Sequence, residues 1–315
     1  LYSGFYGDLR LTITGTKTNS SSSNSIAIAS NISGRNNITI NSGMNLLSND
    51  SNLINGVVGN TTITGSNINS QSGDITITSR NNSIINASKN TYSDSSTTKS
   101  WNESVTLASS AGSGTGAAID RAVNAAQISL GAGISSAKSD TNSTSYNNTQ
   151  LSATNGTIKI TSIGTSETGT QLGGDTTIKG ANLLSQDVVI NTVNNLTIES
   201  LQDSYNQKGN SFGINLGGGS GGTSVNAGIN YSSNKTDRLW TDNQTTIIGT
   251  NSVTINTKNN TNIIGALIAN STNGITKENA IDGGNLTINT NTLTYSNLED
   301  HEYNQSSGIA ISTNI

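Results

Sequence analysis

The chain has 315 residues, of which 31% are hydrophobic, 4% aromatic and 11% charged, with a net charge of −4. A globular enzyme of this length carries an apolar share nearer half, and a disordered chain carries more charge, so the composition fits neither. Cysteine and proline are both absent, which excludes a disulfide framework and Cys-based metal sites and leaves interior β-ladders uninterrupted.

Short segments alternating Thr, Asn or Ser with Ile, Leu or Val follow one another along the chain. They lie at 9–14, 25–29, 37–40, 61–64, 74–78, 157–161, 176–179, 188–191, 195–199, 245–248, 252–256 and 285–289. Period-2 alternation predicts strands with one buried and one wet face. Gly and Asn between them, as in Ser33-Gly34-Arg35-Asn36-Asn37, supply turns, and runs of Asn predict stacked amide ladders.

One motif recurs at length. Gly59-Asn60-Thr61-Thr62-Ile63-Thr64-Gly65-Ser66-Asn67-Ile68-Asn69-Ser70-Gln71 returns at 174–186 with eight of thirteen positions identical, and more faintly at 261–268. Self-similarity on this scale means stacked units that bury their apolar faces on one another. The reading is all-β: a right-handed parallel β-helix over 1–315 with protruding β-hairpins and one short helix. Coils of roughly 18–22 residues, about a dozen at about 4.8 Å each, give a rod of about 55–60 Å. Ile63 and Ile178 are expected to point into its core from equivalent coils.

Two insertions, near 100–150 and 206–240, interrupt the coils. In the second, Phe212, Ile214 and Leu216 alternate outward, Gly217–Gly222 forms the tip, and Val225, Ala227 and Ile229 return, which reads as a hairpin. The first leaves through Val105 and Leu107 and returns through 129–134, its tip holding Ile119, Ala122, Val123 and Ala126 at helical spacing. The C-terminus, from Leu298 through Tyr303 to Ile311, reads as a third hairpin cut short. The apolar side of each hairpin is expected to pack on the solenoid or on a neighbouring hairpin.

These features resemble the haemagglutinin-repeat region of filamentous haemagglutinin-like exoproteins, secreted by the two-partner pathway and including contact-dependent growth inhibition effectors. The resemblance is carried by the Gly-x-Thr-Thr-Ile-x-Gly-x-Asn segments at Gly59 and Gly174 and the Asn-Leu-Thr-Ile strands at Asn195 and Asn285. It is also carried by the lead-ins to Tyr205 and Tyr303, each followed by a Ser-x-Gly-Ile strand. It implies a secreted, cell-surface location, an outer-membrane secretion partner, and a stalk or delivery role in adhesion or contact-dependent toxin delivery. The partner it implies is another bacterial or host cell surface, through outer membrane or glycan.

Candidate chemistry is sparse, and no catalytic, cofactor-binding or metal residue is assigned. Glu299-Asp300-His301-Glu302 is the densest acidic group, but glycoside hydrolysis needs two carboxylates across a cleft, and His301 is the only histidine. Gly217–Gly222 holds no acid for calcium and lacks the Lys-Ser/Thr ending of a phosphate loop. The absence of a Lys/Arg run argues against a nucleic-acid partner. No apolar stretch reaches the roughly 17–25 residues of a membrane helix. Leu1-Tyr2-Ser3-Gly4-Phe5 is no signal peptide, and the chain reads as part of something longer. The alternative function is a glycan-binding module gripping sugar with Tyr205, Trp240 and Tyr231; a polysaccharide-degrading enzyme stands behind it.

Overall fold

A computed structural model describes residues 7–43, 59–109, 126–167, 170–219, 224–272 and 281–315, and among them no helix occurs. Of the expected helix, residues 117–125 lie outside this set. Ala126 and Gln127 instead begin the strand Ala126–Asn147, where period-2 alternation from Ile128 onward overrides the helical spacing.

A curled parallel sheet is wound from six coils among the described residues. The first is Asn31–Gly34, Ile38–Ser42 and Thr61–Thr64, and the second Asn67–Ser70, Ile75–Ser79 and Ser83–Asn86. Thr149–Ser162 with Thr176–Lys179 forms the third, and Ala181–Thr192 with Leu196–Glu199 the fourth. Thr246–Ile264 makes the fifth alone, and Leu267–Asn270 with Leu286–Ser296 the sixth. The expected dozen coils are therefore six, about 25–30 Å of stack, because long strands leave the solenoid between coils.

The coils form four aliphatic ladders, the fourth being Ile38, Ile75, Ile158, Val188, Val253, Leu286. One runs Ile32, Ile68, Leu151, Leu183, Ile247, Ile268. The second runs Ile40, Ile77, Ile160, Ile190, Ile255, Ile288. The third is Ile63, Ile85, Ile178, Ile198, Ile263, followed in register by the exposed Tyr295. Ile63 and Ile178 do share a ladder and are buried, at 9% and 0% exposure. Outside, amide ladders form as Asn256 donates to Asn191 at 3.0 Å and Asn289 donates to Asn256 at 2.8 Å.

A line of hydroxyls runs inside one corner. Ser42 meets Thr61, Ser79 donates to Thr61 at 2.7 Å and Ser83 to Ser79 at 2.9 Å. Ser162 links Ser83 and Thr176 at 2.8 Å each, and Thr192 donates to Thr176 at 2.7 Å. Leu196 occupies the next position and interrupts the line, and beyond it the buried Thr257 hydroxyl has no partner. Each link satisfies a hydroxyl that burial would otherwise penalise by about 1–3 kcal/mol.

The repeated motif marks one kind of corner. Gly65, Gly180 and Gly265 turn the chain from the third face back to the first, with φ of +54°, +65° and +57°. Glycine enters this region without the steric cost a Cβ carries, and at Gly180 a Cβ would sit 2.6 Å from that of Ala87. At the same corner of alternate coils the chain leaves instead, at Ser88, Asp203 and His301. It re-enters at Thr149 and Thr245, both fully buried. The Thr245 hydroxyl donates to the Glu199 carbonyl at 2.7 Å and accepts from the Gly180 N–H at 2.9 Å.

The departing strands form a second sheet, antiparallel and six-stranded. In spatial order it runs Gly7–Ser25, Ser88–Ser109, Ala126–Asn147, Asp203–Gly219, Ser224–Trp240 and His301–Asn314. Each hairpin adds two strands for every two coils, and strands and coils both repeat at about 4.8 Å. The two stacks are therefore commensurate, and successive hairpins pair edge to edge without a gap. The short segment expected at 9–14 is part of the strand Gly7–Ser25 in this sheet rather than a coil.

Candidate interaction surface

Directly opposed residues in an antiparallel sheet point to the same side, so the register divides the six strands into two faces. Crossing the sheet, one row reads Gly15, Trp101, Ile134, Ile214, Ile229, Ile311. One row toward the tips lie Ile13, Glu103, Ala132, Leu216, Ala227, Thr313, and beyond them Leu11, Val105, Leu130, Gly218, Val225. One row toward the solenoid stand Lys17, Lys99, Ser136, Phe212, Tyr231, Ile309. The opposite face of the same strands holds small polar residues, for example Thr14, Asn102, Gly133, Asn215, Gly228, Ser312.

The apolar face is open. Leu11, Leu130, Ile134, Leu216, Val225 and Ile311 are 55–66% exposed, and the expected packing on the solenoid does not occur. The hairpins spend their backbone hydrogen bonds on one another, so they project as a sheet whose two sides both stay uncovered. Four rows at about 6.8 Å by six strands at about 4.8 Å make a patch of roughly 800 Å². The largest apolar patch on an ordinary monomer is about 300–600 Å². The polar face bears a shallow groove of about 730 Å³ floored by Gly131 and Gly217 and flanked by Ser104, Asn215 and Asn226.

The sheet is clamped where it leaves the solenoid. The Asn90 side-chain oxygen accepts from the Ala27 N–H, Asp203 from Tyr146 and Asp300 from Thr241, each at 2.8 Å. Hydrogen bonds from Gln202 and Thr241 hold the Asp300 carboxyl below its ordinary range. Asp203 is 4% exposed, and its burial pushes the carboxyl up despite the Tyr146 N–H. A folded-state pKa above the unfolded one contributes most stability below the unfolded value and loses it as pH rises through the folded value. Folding therefore penalises the charged form of Asp203, which lowers stability where that form is present. Asp203→Asn keeps the acceptor, as Asn90 does, and is expected to raise Tm at pH 7. Thermal melts across pH should show the gain shrinking through the ordinary carboxylate range; a lower Tm at pH 7 would refute this account.

The residues singled out in the sequence are distributed rather than gathered. Asp300 serves as a clamp, while His301 faces Leu239 and Glu302 faces Arg238 across the last strand pair, on opposite sides of the sheet. Among the described residues no cluster of His, Cys, Asp or Glu could hold a metal. Tyr205 and Trp240 lie on the polar side, with the Arg238 guanidinium 4.3 Å from the Trp240 ring centre. Tyr231 is on the apolar side, so the three aromatics form no common sugar platform. Of the Gly217–Gly222 tip, residues 220–222 lie outside the described set.

Tight glycine corners at Gly65, Gly180 and Gly265 alternate along the chain with departing hairpins. The hemagglutinin-repeat family model matches residues 11–214 and 207–308. The chain belongs to the hemagglutinin-repeat family. Its matched region takes in both the coils and the hairpins, so the side sheet of this hemagglutinin-repeat chain is part of the repeat itself. No curated protein and no solved structure matches it significantly. Sequence reasoning missed the surface formed by the hairpins together. Its signal was the placement of Val105, Leu130, Ile214 and Ile229 at alternating positions in four separate strands.

Proposed function

We propose that this chain is a right-handed β-helical stalk of a secreted surface exoprotein. Its side sheet lays an apolar face on the lipid of another cell's outer membrane, in adhesion or contact-dependent toxin delivery. Right-handedness rests on the general rule for crossovers between parallel strands. The cell-surface setting and an outer-membrane secretion partner follow from the family resemblance. The domain reading is one repeat array with hairpin insertions, and the role is structural rather than catalytic.

The observation that carries the lipid contact is the two-sided sheet. Its apolar rows extend about 27 Å along the strands, near the roughly 25 Å apolar band of membrane β-sheets, and Trp101, Phe212 and Tyr231 stand along the inner border as an aromatic girdle does. The Ser, Thr, Asn and Gly of the other face keep water on that side.

The two tryptophans separate the faces, since Trp101 lies on the apolar side and Trp240 on the polar side. Flotation with liposomes of outer-membrane lipid composition should carry the protein upward and shift its tryptophan emission to the blue. Trp240→Phe should keep that shift and Trp101→Phe should lose it. No flotation and no shift would exclude the lipid contact.

A further inference from the structure

Each of the first five strands of the side sheet has a lysine on the apolar side, one or two rows inward of a large apolar residue. Lys17 follows Ile13, Lys138 follows Ile134 and Lys235 follows Tyr231, each by four positions. Lys208 precedes Phe212 by four, and Lys99 precedes Trp101 by two. The lysines form a slanted belt that tracks the apolar border across the sheet.

Two arrangements in this belt oppose stability. Lys17 stands directly opposite Lys99, and Lys208 directly opposite Lys235, whereas like charges in opposed positions destabilise a sheet. Among the described residues Lys17, Lys99 and Lys208 have no carboxylate within ion-pair distance. Asp140 pairs with Lys138 at 2.8 Å and Asp237 with Lys235 at 3.8 Å. Five lysines against these two aspartates leave the belt positive in a chain whose net charge is −4. Asp140 stands directly opposite Lys208 and attracts it, so the pair left without internal compensation is Lys17 and Lys99, and a local rule broken there points to use by something outside the fold.

We infer that the lysine belt binds the phosphates of anionic lipid headgroups, so that the sheet selects anionic over zwitterionic membranes. This rests on the lipid reading above. With the apolar rows among acyl chains, ammonium groups one or two rows inward reach headgroup level, where long lysine stems place them readily. Opposed lysines that repel one another in solution would then share a phosphate.

The test compares the whole 315-residue chain on phosphatidylcholine vesicles and on vesicles of equal parts phosphatidylcholine and phosphatidylglycerol. A basic residue near an anionic surface contributes about 1 kcal/mol, so partitioning should be at least about tenfold stronger onto the anionic vesicles. The preference should vanish near 1 M salt, where the Debye length is about 3 Å. The combined variant Lys17→Gln, Lys99→Gln, Lys208→Gln should lose it while keeping its binding to neutral vesicles. An unchanged melt confirms that the variant folds, as removing like-charge pairs should allow. Equal partitioning of wild type onto both vesicles, or a preference that survives in the variant, overturns the headgroup inference alone. Binding to neither vesicle overturns the lipid reading with it, and a dimer in solution would then identify a second copy as the occupant of the apolar face.

Discussion

Ile178→Asp is expected to unfold the centre of the solenoid. Ile178 is fully buried, stacked between Ile85 and Ile198 in the third aliphatic ladder. No cation lies among its ladder neighbours, so the substitution buries a carboxyl without a charge partner at a cost of about 4 kcal/mol or more. A solenoid couples each coil mainly to its neighbours, and this position is in the third of six, so damage passes both ways. At about 2–4 °C per kcal/mol for a domain of 150–250 residues, Tm should fall by roughly 10 °C. Circular dichroism melts measure this, and an unchanged Tm would contradict the stacking of these coils.

The second large effect separates binding from stability. Ile134→Asp with Ile229→Asp places two carboxylates on the apolar face of the side sheet, at positions 56% and 50% exposed. The folded protein already solvates these sites, so Tm should change little. Membrane partitioning should nevertheless fall at least about a hundredfold, since each change removes an apolar contact worth about 1.5–3 kcal/mol and adds a charge to be desolvated. Asn102→Asp with Asn215→Asp, on the opposite face, is the control and should retain most of the binding. Equal losses from both pairs in flotation would show that the two faces are not distinguished.

The solenoid was legible where local chemistry and tertiary role coincide. The repeated motif was legible as a sequence identity, and the structure puts its Gly65 and Gly180, with Gly265 of the fainter copy, in the positive-φ conformation of a tight corner. Ile63 and Ile178 were legible as core because alternation leaves one face per strand to bury. The amide ladders were anticipated from runs of Asn, and the long stack of Asn191, Asn256 and Asn289 forms them. Less was legible at the strand Gly7–Ser25. Its inner half, Thr16 to Ser25, is almost all Thr, Ser and Asn, so only Leu9, Leu11 and Ile13 signalled a strand, and nothing signalled its length.

By itself the sequence determined that the chain repeats, that its units are strands with one apolar side, and that hairpins interrupt them. Those properties reside in short windows, where backbone sterics and period-2 patterning act directly. Only the tertiary structure decided what each apolar side meets. Ile178 and Ile214 both belong to segments read as alternating strands, yet Ile178 is sealed between coils while Ile214 lies on an open sheet. The difference arises because two strands of a hairpin match the rise of two coils. Hairpins far apart in sequence then satisfy one another's backbone hydrogen bonds, and their apolar side is left facing outward.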